Sequence, residues 1–400
     1  MTDQADGALA GIRVLDLSRF IAGPYCTMML GDMGADVVRI EPPGRPEHTR
    51  HVGPGVDGQS YYFLALNRNK RAIAIDLRTA VGRQRFLDLI ARTDVLVENF
   101  VPRTLEAMEL APEQLHAANP RLIIARISGF GQDGPYADRR CYDSVAQAMS
   151  GLMSLTGDPA GPPMLTGAFI CDYSTGLYAL SGILAALQAR HRTGRGQVVD
   201  ASLLDSAVSF LLTAIPQAVR DKDVLTRNGN RDRFSTPAGT FQAADGRWVL
   251  ISAGDDRMFP RLCQAMGRPD LAADPELADL RGRQLRQDEL EQALAQWTGQ
   301  LPADSVVSQL DAHAVPCSVV ATVADVVVDP HLVQRGQILS VDQPGVGAIP
   351  MAGVTVRLSD TPLRVTRPVP DAGQHTNEVF AEWLGATAGP PQYQSPEEAM

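Results

Sequence analysis

Short apolar runs and longer amphipathic stretches alternate along the first third of the chain. Residues 13–17, 37–40, 71–77, 95–100 and 122–127 are brief runs rich in Val, Leu and Ile. Runs of that length predict buried strands. Between them, residues 24–35 predict a helix with Pro24 in its first turn. Residues 79–92 predict another, capped by Thr79, with Phe86, Leu87, Leu89 and Ile90 on one face. Strand and helix in repetition imply right-handed crossovers and a mainly parallel sheet. Ligands of such sheets gather at the carboxyl ends of the strands.

The texture changes after a strand at 197–202 and a helix expected from Asp205 to about Val219. Residues 220–239 are polar and loop-like. Apolar segments 239–243 and 247–252 then flank Asp245-Gly246, a hairpin signal. Helices are expected at 257–266, 281–298 and 303–314, strands at 337–341 and 354–358, and a last helix at 376–384. The domain plan is therefore a large domain over 1–222, a smaller α+β domain over 223–329, and a return to the first over 330–385. Residues 386–400, rich in Pro, Gln and Glu, are expected to be a disordered tail.

Charge and cysteine content narrow the classes. A net charge of -10 argues against nucleic-acid binding but leaves room for a local basic pocket. No apolar run is read as approaching a membrane span, and the acidic N-terminus is unlike a signal peptide, so a cytoplasmic protein is expected. Cys26, Cys141, Cys171, Cys263 and Cys317 show no metal-ligand spacing and read as free thiols. No metal site is expected.

The candidate chemistry centres on Asp172. It lies in a run of small and apolar residues, 165–176, just ahead of an apolar helical segment. A carboxylate there is costly to bury unless its charge is used or paired. It reads either as a helix N-cap or as a nucleophile poised at a helix N-terminus. Residues 129–134 (GFGQDG) spell GxGxxG after a strand, but Pro135 follows at once and no helix opens, so a loop beside a ligand is expected rather than a dinucleotide site. There is no Walker loop, HExxH or GxSxG. Basic residues punctuate the predicted loops, with Asn67-Arg68-Asn69-Lys70-Arg71 the densest case.

Several segments share order and spacing with one family. They are 11–17 (GIRVLDL), Ala22-Gly23-Pro24 followed by 30–37 (LGDMGADV), 67–71 (NRNKR), 97–100 (VENF), 193–197 (TGRGQ) and 315–317 (VPC). From Gly11 to about Leu384 the chain resembles the class III CoA-transferases, the CaiB/BaiF family that includes formyl-CoA transferase and the α-methylacyl-CoA racemases. The resemblance implies an α/β fold, with a Rossmann-like large domain and a smaller α+β domain in an interlocked homodimer. It implies Asp172 as the nucleophile that forms acyl-aspartyl anhydride and aspartyl-CoA thioester intermediates. An unperturbed Asp, with a pKa of roughly 3.9, is already ionised at neutral pH. Phe20, Ala22, Ile75, Arg78, Asn99, Phe100, Arg103 and Arg140 fall at or beside the family's coenzyme A positions, and Tyr142 falls in its active-site segment. No permanently bound cofactor is implied; a coenzyme A thioester is the substrate.

Departures from the family refine the expectation. The racemases' histidine before an aspartate reads Tyr142-Asp143 here, so the proton-shuttling base is missing. Basic family positions are Ala107 and Pro42 in this chain. The formyl enzyme's glutamine is Ile21, and its glycine-rich insertion is absent between Leu211 and Trp248. Relatives of this kind use succinyl-CoA as donor and a dicarboxylic or hydroxy-dicarboxylic acid as acceptor, with Arg50 and His51 as candidates for the second carboxylate. Residues 228–230 (NGN) are a candidate lid. The rival readings are a racemase-like isomerase and a non-catalytic coenzyme A binder.

Overall fold

In the computed structural model, which describes residues 7–222 and 224–385, six parallel strands form the main sheet. They are β1 (Arg13–Asp16), β2 (Asp36–Glu41), β3 (Lys70–Ala74), β4 (Val95–Glu98), β5 (Ile123–Ser128) and β6 (Val198–Ser202). Their spatial order is 3-2-1-4-5-6. Val14 pairs with Val37 and with Val95, which fixes the central register. Successive side chains point to opposite faces, so both faces must be apolar when both are covered. Val14, Val37, Val95 and Ile123 accordingly join one core with helices α1 (Ala22–Asp32) and the long helix Ile170–Thr193. Leu15, Val38, Leu96 and Ile124 join the other with the helix Ala80–Ile90 and the C-terminal helix Thr376–Leu384.

Strand order reverses at β1, which opens a crevice beyond the carboxyl ends of β1 and β4. The β3 edge is covered by the returning chain: Asn69 donates to the Arg367 carbonyl at 3.1 Å and His375 to the Ala72 carbonyl at 2.8 Å. Covering an edge removes a template for unwanted strand pairing.

The described residues divide into two units. One holds 7–152, 166–215 and 330–385, and the other holds 153–165 and 216–329, residue 223 apart. In the second, an antiparallel sheet of β7 (Ala238–Gln242), β8 (Trp248–Ser252) and β9 (Cys317–Val319) has β8 at its centre. The hairpin expected around Asp245-Gly246 is present, with Gly246 at φ 80. Its core joins Val249 and Ile251 to Leu262, Leu294 and Val306.

Three local expectations change. The partner of β10 (Ile338–Gln343) is β11 (Gly347–Ala352), and 354–358 forms no strand. Pro350 disguised β11, because Pro lacks a ladder donor; a two-stranded ribbon tolerates it. The helix expected from Asp205 starts at Leu203, where the Ser202 hydroxyl accepts from the Asp205 N–H at 3.0 Å, and it stops at Val208. A further short helix and a π-helical turn lie on either side of the Pro216–Gln217 junction. Finally, Ile170–Thr193 is one helix of 24 residues, long and apolar enough by length and composition to cross a membrane. Half of its apolar window is buried, with Ala179, Ile183 and Leu187 in the core. The disordered tail expected at residues 386–400 lies outside the described residues.

Candidate active site

Asp172 is the third residue of the helix Ile170–Thr193, whose N-cap position is Phe169. It is therefore not the cap. Asp143, buried in the first turn of the helix Asp143–Met149, supplies that function from a distance in sequence. Its Oδ2 accepts from the Cys171 N–H at 2.8 Å and the Asp172 N–H at 3.1 Å. The other oxygen accepts from Gln147 Nε2, and Gln147 Oε1 accepts from the Thr166 N–H at 3.0 Å. A chain of hydrogen bonds thus fixes both the loop at Thr166 and the helix start. The capping carboxylate also places a like charge beside Asp172.

The Asp172 side chain meets a second helix start. The Ala22 N–H, at the beginning of α1 where helix donors lack intrahelical partners, lies near its carboxylate and favours the anion. Burial and the Asp143 charge outweigh that donor and push Asp172 up to about 7. The acid is therefore poised near neutrality, where the sequence alone implied full ionisation. Its neighbours respond to it. Burial and Asp172 raise the Tyr62 phenol, and burial, Tyr25 and Asp172 raise that of Tyr173. Burial with Asp172 pushes the Cys141 thiol to about 11, and burial with Asp143 and Asp172 pushes Cys171 to about 12. Neither cysteine supplies a thiolate at neutral pH.

The small residues around Asp172 have a packing reason. A Cβ on Gly176 would lie 2.8 Å from the Ala22 carbonyl and 3.0 Å from the Tyr25 ring. Glycine lets the start of α1 pack closely against the first turns of the long helix, beside Asp172. Tyr25 and Tyr173 close that contact edge to face, with centroids 5.0 Å apart.

A cavity of about 440 Å³ opens at the carboxyl ends of β1, β2 and β3, with Phe100 beyond β4 also on its wall. Four of the residues singled out from sequence line it: Phe20, Ile75, Arg78 and Phe100. Asn99 braces the wall: its Oδ1 accepts from the Arg19 N–H at 2.8 Å and its Nδ2 donates to the Arg19 carbonyl at 2.6 Å. The Arg19 guanidinium then lies over the Phe100 ring, 5.3 Å from its centroid. Phe20 takes a left-handed conformation at φ 62, and its exposed ring meets Tyr142 edge to face at 6.1 Å. Arg78 is paired with Asp76 at 2.9 Å. The walls also carry Arg19 and Arg45, two cations that no motif had flagged. Pro42, at a family basic position, lines the cavity beside them.

These observations agree with three comparisons. The model of CoA-transferase family III matches residues 9–376. The chain belongs to this family. Among its relatives is the succinyl-CoA–D-citramalate CoA-transferase of Chloroflexus aurantiacus, 40% identical over 95% of this chain and 94% of that one. The succinyl-CoA:mesaconate CoA-transferase of Haloarcula hispanica is 39% identical over 92% of each. A CaiB/BaiF family protein from Brucella suis has a solved structure that matches with a TM-score of 0.84 and 36% identity, over 94% of this chain and all of that one. This family III CoA-transferase therefore has the α/β fold expected from its sequence.

The remaining residues singled out from sequence fall elsewhere. Arg103, at φ 70, pairs with Asp138 at 3.3 Å, and both are exposed. Arg140 is exposed; neither it nor Arg103 is among the cavity's lining residues. The Arg50 guanidinium is held by both Glu41 oxygens, at 3.0 and 2.6 Å, and by the Pro370 carbonyl at 3.0 Å. His51 is exposed at the end of a short 3-10 turn. The GxGxxG loop leads into no helix before Asp143; its Gln132 N–H donates to Asp200 Oδ2 at 2.9 Å. Asp143, Gln147, Glu47 and Tyr62 were missed as contributors to the site. Only Asp143 carried a signal, as the acid next to Tyr142 where the racemases keep a histidine.

Proposed function

We propose that this CoA-transferase moves coenzyme A from succinyl-CoA to a dicarboxylic or hydroxy-dicarboxylic acid, with Asp172 as nucleophile. The carrying observation is the Asp172 carboxyl at the start of its own helix, facing the Ala22 N–H and pushed up to about 7. A more basic carboxylate is a better nucleophile once ionised, and its two helix starts favour the anionic form that attacks. The named relatives support the choice of donor and acceptor class.

The Asp172 carboxylate attacks the thioester carbonyl and expels coenzyme A thiolate, giving a succinyl-aspartyl anhydride. The thiolate attacks the aspartyl carbonyl, which releases succinate and leaves an aspartyl-CoA thioester. The acceptor carboxylate displaces the thiolate to form a second anhydride. The thiolate then attacks the acceptor's carbonyl, giving the new thioester and regenerating Asp172. The Ala22 N–H is a donor for charge on the Asp172 carboxyl oxygens during these steps.

Coenzyme A lies in the cavity beyond the strand ends, with Phe20, Ile75 and Phe100 as apolar walls and Arg19, Arg45 and Arg78 for its phosphates. Arg103, Arg140 and Tyr142 are outer contacts. The commitment of Arg50 to Glu41 supports a scaffold role for it, leaving His51 as the exposed cation of that turn. The enzyme acts in the cytoplasm as a homodimer. Exposed apolar Leu177 and Tyr178 on the long helix, and exposed Val198 on edge strand β6, support a second copy packing on this side of the unit.

The test is intact-protein mass after brief incubation with succinyl-CoA. A coenzyme A-sized adduct on the native chain is expected, absent from Asp172→Ala and discharged by a dicarboxylate. No adduct across a panel of acyl-CoA donors, with coenzyme A still bound, sinks the reading.

A further inference from the structure

The turn between β1 and α1 presents Phe20 to the cavity in a backbone conformation that L side chains avoid. Something must hold it. The Phe20 N–H donates to Glu47 Oε1 at 2.8 Å. The other oxygen of Glu47 pairs with the Arg39 guanidinium. Glu47 is 8% exposed and Arg39 is 1% exposed. The Glu47 backbone is fixed in turn, its N–H donating to Glu41 Oε1 at 2.8 Å. Arg39 donates to Asn67 Oδ1 at 3.1 Å and lies 3.8 Å from Asp16. A buried ionic cluster therefore ends at the backbone of an exposed aromatic residue on the cavity wall.

We propose that Glu47 is a positioning residue for the acyl-CoA site: its two carboxylate oxygens tie the Phe20 turn to buried Arg39 and so set the cavity wall. The inference rests on the assignment of this cavity to coenzyme A. A carboxylate is required because both neighbours are donors. Glutamine offers one oxygen, and its NH₂ would face either the Phe20 N–H or the guanidinium. Aspartate keeps the charge but is one methylene shorter, so it stays with Arg39 and releases Phe20.

The experiment measures both KM values, adduct yield and thermal unfolding for Glu47→Gln and Glu47→Asp in the full chain. Glu47→Gln is expected to raise KM for succinyl-CoA about tenfold, the loss of one hydrogen bond to a charged group. KM for the acceptor acid and the adduct yield at saturating succinyl-CoA should stay unchanged. Glu47→Asp should raise KM for succinyl-CoA while keeping the native unfolding temperature. Unchanged KM for succinyl-CoA in folded variants overturns the inference. So does a parallel rise in both KM values, or unfolding of both variants, since either makes Glu47 purely structural. If the native chain itself forms no adduct, the failure belongs to the functional reading instead.

Discussion

Asp16 and Asp172 are both withdrawn from water, yet their surroundings drive them in opposite directions. Burial alone would raise Asp16, but Lys70 and Arg39, with the Ser18 and Thr27 hydroxyls, hold it below the usual carboxylate range. Lys70 Nζ lies 3.0 Å from its Oδ2 and Thr27 Oγ1 lies 2.7 Å away. Asp172 meets burial and a like charge, against which one backbone N–H is insufficient. The first carboxylate is a fully partnered anchor under the β1–α1 turn. The second is under-partnered and retains reactivity. Burial by itself therefore says nothing about role; the sign of the neighbours does.

The largest break in that contrast should come from Lys70→Met. It leaves Asp16 with one cation fewer in a site that is 0% exposed. Removing one partner of a buried pair costs about 3–5 kcal/mol, to be read from denaturant unfolding. A loss under about 1 kcal/mol, the scale of a surface pair, would show that Asp16 is not the anchor described.

Asp143→Asn sharpens the other side. Asparagine keeps an oxygen for the Cys171 and Asp172 N–H groups but removes the like charge. The pH midpoint for adduct formation, expected near 7, should fall by roughly one pH unit. An unmoved midpoint would assign the whole rise of Asp172 to burial.

The smallest effect is on stability. The folded pKa of Asp172 lies above its unfolded value, so folding binds the proton more tightly. The native state then loses stability as pH rises from the ordinary value of 3.8 towards about 7, and the loss is complete above that. Asp172→Asn should therefore stabilise the protein at pH 8 by about 1–2 kcal/mol, discounted for partial exposure, and leave it unchanged near pH 3. Equal unfolding temperatures for the two chains at pH 8 would contradict the raised pKa.

Much of the large unit was legible because parallel strands buried on both faces must be apolar throughout. The runs around Val14, Val38, Ile73, Leu96 and Ile124 show it. Thr79 marked its helix start by local chemistry alone, its hydroxyl accepting from the Gly82 N–H at 3.0 Å. Local rules failed where a partner from elsewhere did the work. Pro350 hid β11 until Ser340 paired with it. Asp172 looked like a cap because the true capping carboxylate lies 29 positions away in the chain.

The sequence by itself determined the alternation of strand and helix, the family, and the acid at the head of a long apolar helix. Each of these is carried by residues close together in the chain. Only the tertiary structure decided how that acid behaves. It brings Asp143, Ala22 and Gly176 to one point and gathers Asp16, Arg39, Glu47 and Lys70 beneath the neighbouring turn. The pKa of a buried carboxylate depends on distances to charges and donors, and those distances exist only once the chain has folded.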